Sequence, residues 1–95
     1  MIEVMRFRLA AGTGDEGFRQ ADRTVQTELA YHEDGLLRRT TARGDAGEWV
    51  VIEVWQSEAQ ADASVAHRAA HPRYAEFLLM IDPASVRTDR YLTLD

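Results

Sequence analysis

Alternating hydrophobic and polar residues predict four β-strands in this chain. They cover residues 2–9, 36–43, 48–56 and 86–94. Only Gly44-Asp45-Ala46-Gly47 separates the second strand from the third, and a short loop with glycines is typical of an antiparallel hairpin. In the first strand two sets of side chains lie on opposite faces, Glu3 with Met5, Phe7 and Leu9, and Ile2 with Val4.

Apolar residues at three- and four-residue intervals predict a helix between the first two strands. Thr13 and Glu16 have the spacing of a capping box, which places the start of this helix near Gly14 or Asp15. Gly35 is expected to end it. The predicted buried stripe consists of Phe18, Ala21, Val25 and Leu29.

A second helical segment follows the third strand and is interrupted by a proline. Ser57 and Gln60 form another capping box, so the first piece is predicted from Glu58 to Ala70. Pro72 disfavours helical geometry at His71 and suits the first turn of a new helix. This new helix is predicted to end at Asp82-Pro83 and to bury Tyr74, Phe77, Leu78 and Ile81.

The order βαββαβ predicts an α+β, ferredoxin-like fold in which a four-stranded antiparallel sheet carries both helical segments on one face. The length of 95 residues predicts a single domain over residues 1–95. The third strand is apolar on both faces, with Val50, Ile52 and Val54 on one, and Trp49, Val51, Glu53 and Trp55 on the other. We therefore expect a homodimer in which a second copy covers the sheet face that lacks helices.

Composition narrows the classes of function. The chain has no cysteine, which excludes disulfides, thiolate metal ligands and cysteine nucleophiles. Its eleven basic residues are all arginine, and sixteen acids bring the net charge to -5, which disfavours nucleic acid as a partner. The longest apolar run, residues 77–81, is too short to cross a membrane, and the first residues do not resemble a signal peptide. We expect a cytoplasmic protein with no membrane partner.

Two interpretations remain open for the aromatic residues of the third strand. Trp49 and Trp55, with Glu53 between them on the same face, would line a pocket that stacks on a flat aromatic ligand and hydrogen-bonds its oxygen. Alternatively, both indoles are core or interface side chains and Glu53 pairs with an arginine.

The polar candidates elsewhere carry weaker signals. His67 and His71 have the i, i+4 spacing of metal ligands, but Pro72 breaks the helix there, so we predict no metal site and consider His67 a candidate general base. Ser57 and Ser64 have no neighbouring base that would make either a nucleophile. Arg38 and Arg39 point to opposite strand faces and are expected to be solvated.

Two stretches of this sequence resemble the antibiotic biosynthesis monooxygenase-like domain, and the resemblance extends over nearly the whole chain. They are Val51-Ile52-Glu53-Val54-Trp55-Gln56-Ser57-Glu58-Ala59 and the residues His67, His71-Pro72, Tyr74 and Phe77. The resemblance implies the fold of the dimeric α+β barrel superfamily, in which two such sheets pair.

The same resemblance implies a range of activities. Similar domains include cofactor-independent oxygenases of anthrones and quinols, haem-degrading enzymes and an isomerase. In the oxygenases a tryptophan at the place of Trp55 lies near the substrate and a histidine on the next helix contributes, although His67 is about three residues further along than the family pattern. The haem-degrading members have an asparagine where this chain has Met5, which disfavours haem.

The sequence thus predicts a cofactor-independent monooxygenase that adds oxygen to an electron-rich aromatic small molecule. Its predicted catalytic residues are Trp55 and His67. The residues expected to bind substrate are Trp49, Glu53, His71, Tyr74 and Phe77. An isomerase or cyclase that uses a histidine and Glu53 for proton transfer, or a dimer that binds a small molecule without turnover, are the alternatives.

Overall fold

The helices and strands follow one another in the predicted βαββαβ order, with the second helical segment divided in two. The computed structural model describes residues 1–94, and Asp95, the last residue of the predicted domain, lies outside the described residues. The elements are β1 Ile2–Arg8, α1 Asp15–Glu28, β2 Leu36–Arg43, β3 Glu48–Trp55, α2 Glu58–Ala69, α3 Pro72–Leu79 and β4 Arg87–Tyr91. Short 3-10 turns cover Ala30–His32, Asp45–Gly47 and Pro83–Ser85.

The four strands form one sheet in the order β2-β3-β1-β4, and every neighbouring pair is antiparallel. This is the predicted ferredoxin-like topology. Glu53 at the middle of the sheet lies opposite Arg39 of β2 on one side and Glu3 of β1 on the other. Glu3 in turn lies opposite Arg90 of β4, so each strand contributes one charged residue to the same row.

The main core lies between the sheet and helices α1 and α3. Phe18 of α1 contacts Phe7, Trp49 and Phe77 with ring centroids 4.9 to 5.5 Å apart, and these rings fill its centre. Val25, Leu29, Val51 and Ile81 complete this cluster. A second, smaller cluster consists of Met1, Trp55 and Ala61, with Leu36 packed against it. Helix α2 therefore contributes little apolar surface to the fold.

Helix α1 starts at Asp15, as predicted, but its capping and its end differ from the prediction. The capping box at Thr13 is wrong, because Gly14 is the N-cap residue and no side chain caps this helix. The helix ends at Glu28 rather than at Gly35, since Leu29 leaves helical geometry and starts the Ala30–His32 turn. Gly35 lies just before β2 with a φ of +84°, and a β-carbon at this position would overlap the side chain of Gln60.

The starts of α2 and α3 are as predicted. Ser57 caps α2, because its Oγ accepts a hydrogen bond from the Gln60 backbone N–H at 3.2 Å. The chain breaks after α2, and Pro72 occupies the first turn of α3. His71 is the N-cap of this helix, and its Nδ1 accepts a hydrogen bond from the Arg73 N–H at 3.2 Å.

Three further sequence predictions are wrong. Helix α3 ends at Leu79, with Met80 as its C-cap, and not at Asp82-Pro83. Leu78 is 44% exposed, because Phe77 and Ile81, four residues apart, face the core and the intervening Leu78 is rotated about 100° from Phe77. Strand β4 ends at Tyr91 instead of Leu94. Tyr91 lies opposite Ile2, the first residue of β1, so the chain beyond it has no strand residue to pair with.

The sheet face opposite the helices has an apolar centre. Val50, Ile52 and Val54 of β3 are half-buried there and lie beside Ile2 and Val4 of β1. Their partial exposure shows that this face is only partly covered within residues 1–94. Within the same part of the chain, no helix has the length and apolar character needed to span a bilayer.

Candidate functional site

A network of buried ion pairs occupies the helix-facing side of the sheet, at the row of charged residues described above. Arg68 reaches down from α2 and hydrogen-bonds the Glu53 carboxylate through two nitrogens, at 2.7 and 3.1 Å. The same guanidinium hydrogen-bonds Glu33, in the connection between α1 and β2, with Nη2 2.6 Å and Nε 2.9 Å from Oε1. One arginine thus joins two buried carboxylates from different parts of the fold.

The network continues on the other side of Glu53. Arg39 Nε lies 3.5 Å from Glu53 Oε2, and Arg39 Nη2 donates to Asp22 of α1 at 2.8 Å. Thr41 also donates to Asp22, at 2.9 Å. Charges therefore alternate along the buried ion network, in the order Asp22, Arg39, Glu53, Arg68 and Glu33.

Ionisation within this region is shifted by burial and by the ion pairs. Burial lowers the pKa of Arg68, but the hydrogen bonds and charges of Glu33 and Glu53 together raise that pKa above its ordinary value. Burial also raises the pKa of Tyr74, whose hydroxyl lies near Arg68. Arg68 therefore stays cationic, and Tyr74 stays a neutral hydroxyl that is able to donate a hydrogen bond.

Aromatic rings surround the two buried guanidinium groups. The central carbon of Arg68 lies 5.6 Å from the ring centroid of Trp55 and 5.7 Å from that of Tyr74. The central carbon of Arg39 lies 5.8 Å from the Phe77 ring centroid. These distances are typical of cation–π contacts, so the rings stabilise the buried cations and hold their planes.

A small inner cavity lies against this network, between the sheet and α3. Its volume is about 20 Å³, roughly the space for one water molecule. Met5, Val51, Tyr74 and Phe77 form its less polar walls. Glu53, Arg39, Arg68 and Glu3 form its polar side. The Nε of Arg39 is buried there without a hydrogen-bond acceptor among the described residues.

A larger outer groove opens between α2 and the turn that precedes β2. Its volume of about 370 Å³ falls in the range of small-molecule sites. Its polar lining consists of His32, Glu33, Asp34, Gln60, Ser64 and His67. Glu33 lines this groove and hydrogen-bonds Arg68, which lines the inner cavity, so the two spaces are separated by an ion pair.

His67 lies at the solvent-facing edge of the outer groove. Its side chain is 62% exposed, and its Nδ1 is 4.0 Å from Oε2 of Glu33. With Nδ1 turned toward a carboxylate, Nε2 is the nitrogen left to exchange a proton with a ligand. The geometry is compatible with a general base at the outer groove.

The structure brings only some of the predicted site residues together. Glu53, Tyr74 and Phe77 meet at the inner cavity, and Trp55 is linked to them through Arg68. Trp49 lies in the main core against Phe18, so the two indoles do not form a common wall. His71 caps α3 and lines neither the groove nor the cavity.

The interpretation in which both indoles are core side chains and Glu53 pairs with an arginine is confirmed, but the other members of the buried ion network were not predicted. Arg39 was expected to be solvated, but its side chain is only 2% exposed because it shares the helix-facing side of the sheet with Glu53. Arg68 continues the stripe of Ala61 and Ser64 on α2 at spacings of three and four residues. That spacing was a signal that the arginine faces inward. Asp22 carried a similar signal, because it follows the buried Phe18 by four residues and precedes the buried Val25 by three. Glu33, in the connection between α1 and β2, carried none.

The described residues offer no metal centre. Among residues 1–94, no group of three or more histidine, aspartate or glutamate side chains is arranged to hold a metal ion. The i, i+4 spacing of His67 and His71 spans the break between α2 and α3, so the two imidazoles do not share a helix face.

Comparison with known proteins identifies the fold. No family model matches the chain, and no curated protein matches it. SnoaB, a cofactor-independent oxygenase from Streptomyces nogalater, superposes with a TM-score of 0.76 at 16% identity over 98% of this chain and 94% of that chain. A proposed antibiotic biosynthesis monooxygenase from Nitrosomonas europaea gives a TM-score of 0.71 at 17% identity over 99% and 98%.

A protein of unknown function from Nitrosomonas europaea also superposes, with a TM-score of 0.72 at 14% identity over 99% of this chain and 90% of that chain. The predicted resemblance is therefore confirmed at the level of the fold, which is that of antibiotic biosynthesis monooxygenase-like proteins. Since proteins of this fold include ones with no known activity, the fold alone does not give the reaction.

Proposed function

We propose that this protein is a cofactor-independent monooxygenase that oxidises an electron-rich aromatic small molecule, of the quinol or anthrone type, with molecular oxygen. The observation that carries the proposal is the outer groove with His67 beside the buried Glu33, in a fold shared with a cofactor-independent oxygenase. A groove of this size accommodates a flat aromatic molecule, and the histidine is the base that such chemistry requires.

In the proposed reaction His67 removes a proton from a phenolic hydroxyl of the substrate. The carboxylate of Glu33, at ion-pair distance, stabilises the imidazolium that forms. The resulting electron-rich anion gives one electron to oxygen, and the radical pair combines to a carbon-bound peroxide. The imidazolium returns its proton to the peroxide, and loss of water from the carbon that carries both the hydroperoxide and a hydrogen leaves a new carbonyl, so the substrate supplies both electrons that reduce the second oxygen atom.

Arg68 and Tyr74 are proposed to assist at the inner end of the site. The Arg68 guanidinium lies against the rings of Trp55 and Tyr74, and a cation beside the reacting ring stabilises negative charge on the substrate oxygen or on reduced oxygen. Trp55 would contact the ring of the substrate. Trp49, in the core, would act only by supporting the sheet.

The test is oxygen uptake by the purified protein, without added cofactor, in the presence of a panel of quinols and anthrones. His67→Ala is expected to lower kcat about 10²-fold or more if His67 is the general base. Trp55→Phe is expected to raise KM for the aromatic substrate. Val65→Ala, on the exposed side of the same helix, is the matched control. Equal oxygen uptake by all three variants would contradict the roles assigned to His67 and Trp55. Absence of uptake with every compound would contradict the proposed activity.

A second candidate is an isomerase or cyclase, which the His67–Glu33 pair favours because proton transfer between these groups needs no oxygen. Product analysis under strict anaerobiosis separates the two reactions, since an oxygenase has no turnover there. A ligand that is bound and released unchanged, with a raised Tm, would instead indicate a binding protein.

We also propose that the functional unit is a homodimer that covers Val50, Ile52 and Val54 with the same face of a second copy. Their half-burial, on the side of the sheet opposite the helices, supports this assembly. An isologous contact of this kind adds buried apolar surface that a chain of this size otherwise lacks.

A further inference from the structure

We infer that Arg68 is a gate that separates the outer groove from the inner cavity and that swings about Glu33 to admit the aromatic ring of a substrate. This inference deepens the proposed function, because it assigns how a flat molecule in the groove reaches Trp55 and Tyr74.

The Arg68 guanidinium bonds one carboxylate from the lining of each space. Glu33 belongs to the lining of the outer groove, and Glu53 belongs to the lining of the inner cavity. Arg68 hydrogen-bonds both, at 2.6 Å to Glu33 Oε1 and 2.7 Å to Glu53 Oε2. The Arg68–Glu33 ion pair, with Glu33 on the groove side and Arg68 on the cavity side, therefore lies between the two spaces.

The inner cavity is too small to hold an aromatic ring. The groove measures about 370 Å³ and the inner cavity about 20 Å³. A buried site that holds benzene needs about 150 Å³. An aromatic ring therefore fits the inner cavity only when a neighbouring side chain leaves, and Arg68 is the long, flexible one that stands between cavity and groove.

The guanidinium of Arg68 lies over the rings of Trp55 and Tyr74. Its central carbon lies within 6 Å of the ring centroids of both Trp55 and Tyr74. Trp55 is only 1% exposed. When the flat guanidinium leaves, these rings become available to another flat group, which stacks on them by the same preference for planar contacts.

The counter-ions that remain determine which of the two carboxylates Arg68 leaves when it moves. If Arg68 leaves Glu53, that carboxylate keeps Arg39 as a counter-ion, with Nε at 3.5 Å. If Arg68 left Glu33, no arginine among the described residues would remain paired with that carboxylate, and the nearest basic side chain would be His67, 62% exposed and 4.0 Å away. Because an uncompensated buried carboxylate is costly, Arg68 releases Glu53 and stays bonded to Glu33.

This asymmetry gives a test that needs no substrate. Glu53 and Glu33 are equally buried, each with a 3% exposed side chain, so Glu53→Gln and Glu33→Gln are matched variants. Glu53→Gln weakens only the closed state, whereas Glu33→Gln weakens the closed and the open states alike. Both are made in a Trp49→Phe background, so that Trp55 is the only indole.

The measurement is quenching of Trp55 fluorescence by acrylamide. We expect Glu53→Gln to raise the quenching constant about threefold or more over the Trp49→Phe protein, because the open population grows, and Glu33→Gln to leave it nearly unchanged. An equal rise in both variants, or a rise in neither, would overturn the gate. Far-ultraviolet circular dichroism checks that each variant is folded.

If Glu53→Gln does not fold, Glu53→Asp replaces it, because the shorter carboxylate keeps a charge for Arg39 and withdraws from Arg68. The same rise is expected, and an unchanged quenching constant would overturn the proposal. If the protein takes up oxygen but the Glu53 variant leaves the quenching constant of Trp55 unchanged, the gate is contradicted and the oxygenase is not. A quenching response without oxygen uptake would contradict the oxygenase alone.

Discussion

Arg68 of α2 and Glu53 of β3 face each other through two hydrogen bonds, between Nη2 and Oε2 at 2.7 Å and between Nη1 and Oε1 at 3.1 Å. This side-by-side geometry is the strong arrangement for an arginine and a carboxylate. It ties α2, whose buried face is otherwise Ala61 and Ser64, to the middle of the sheet. The helix is thus held to the sheet more by charge than by apolar packing.

Removing the guanidinium is expected to destabilise the protein strongly. Arg68→Ala leaves the Glu33 and Glu53 carboxylates buried without this partner, and the expected loss in free energy of unfolding is about 3 kcal/mol or more. Urea unfolding measures it. Arg73→Ala is the control, because its pairs with Glu28 and Glu76 are exposed, and its expected loss is below about 1 kcal/mol. Similar losses in the two variants would contradict a structural role for the buried pair.

Ser57 caps its helix and Thr13 does not, so alanine substitutions at these two positions are expected to differ in their effect on stability. Ser57→Ala removes the acceptor of the Gln60 N–H and is expected to lower the free energy of unfolding by about 1 kcal/mol. Thr13→Ala is expected to cost less than about 0.5 kcal/mol, because Gly14 is the N-cap of α1. Chemical denaturation of both variants checks this, and a larger loss from Thr13→Ala would contradict the assigned start of α1.

The buried phenol of Tyr74 gives a prediction in alkali. Burial raises its pKa above the ordinary value of 10.0, so the folded state holds the proton more tightly than the unfolded state. Its contribution is fully present below pH 10 and is lost as pH rises from there through the raised pKa. Tyr74→Phe should therefore weaken the fall of Tm as the pH rises above 10.

Tyr91→Phe is the control for this experiment, because its ring is half exposed at the end of β4. It is expected to retain the wild-type fall of Tm with pH. A Tyr74→Phe profile that is parallel to the wild-type profile would show that the Tyr74 phenol does not resist ionisation in the folded state.

The proposed dimer is tested by one substitution on each side of the molecule. Ile52→Arg places a charge at the apolar centre of the sheet face opposite the helices, and light scattering should report the mass of one chain where the wild type gives about twice that mass. Leu79→Arg, at an exposed position of α3, should leave the mass unchanged. A wild-type monomer at micromolar concentration would contradict the assembly.

The sequence determined most of the fold because strand alternation and helix breaks are local signals. The hairpin at residues 44–47 and the break before Pro72 each depend on a few neighbouring residues, and both are present. The end of β4 was mistaken, because it depends on where β1 begins and not on the alternation that continues to Leu94. Leu78 was mistaken because a short helix with several apolar residues does not define its buried face.

The candidate site was predicted less completely, for a physical reason. Glu53 could be singled out on its strand face, but its partners Arg39 and Arg68 come from a different strand and a helix. The sheet register and the docking of the helices determine which opposite charges meet in a core. Neither can be read from a single sequence. The separation of the two indoles into different clusters has the same origin.

The glycine before β2 limits how this protein can be re-engineered. Gly35 has a positive φ, and a side chain there would be strained and would also collide with Gln60, at the start of α2. A library aimed at new ligand preference should therefore keep residue 35 fixed and vary His32, Asp34 and Ala63 around the groove. These three positions line the outer groove, so its shape can be varied while the backbone conformation of the junction before β2 is retained.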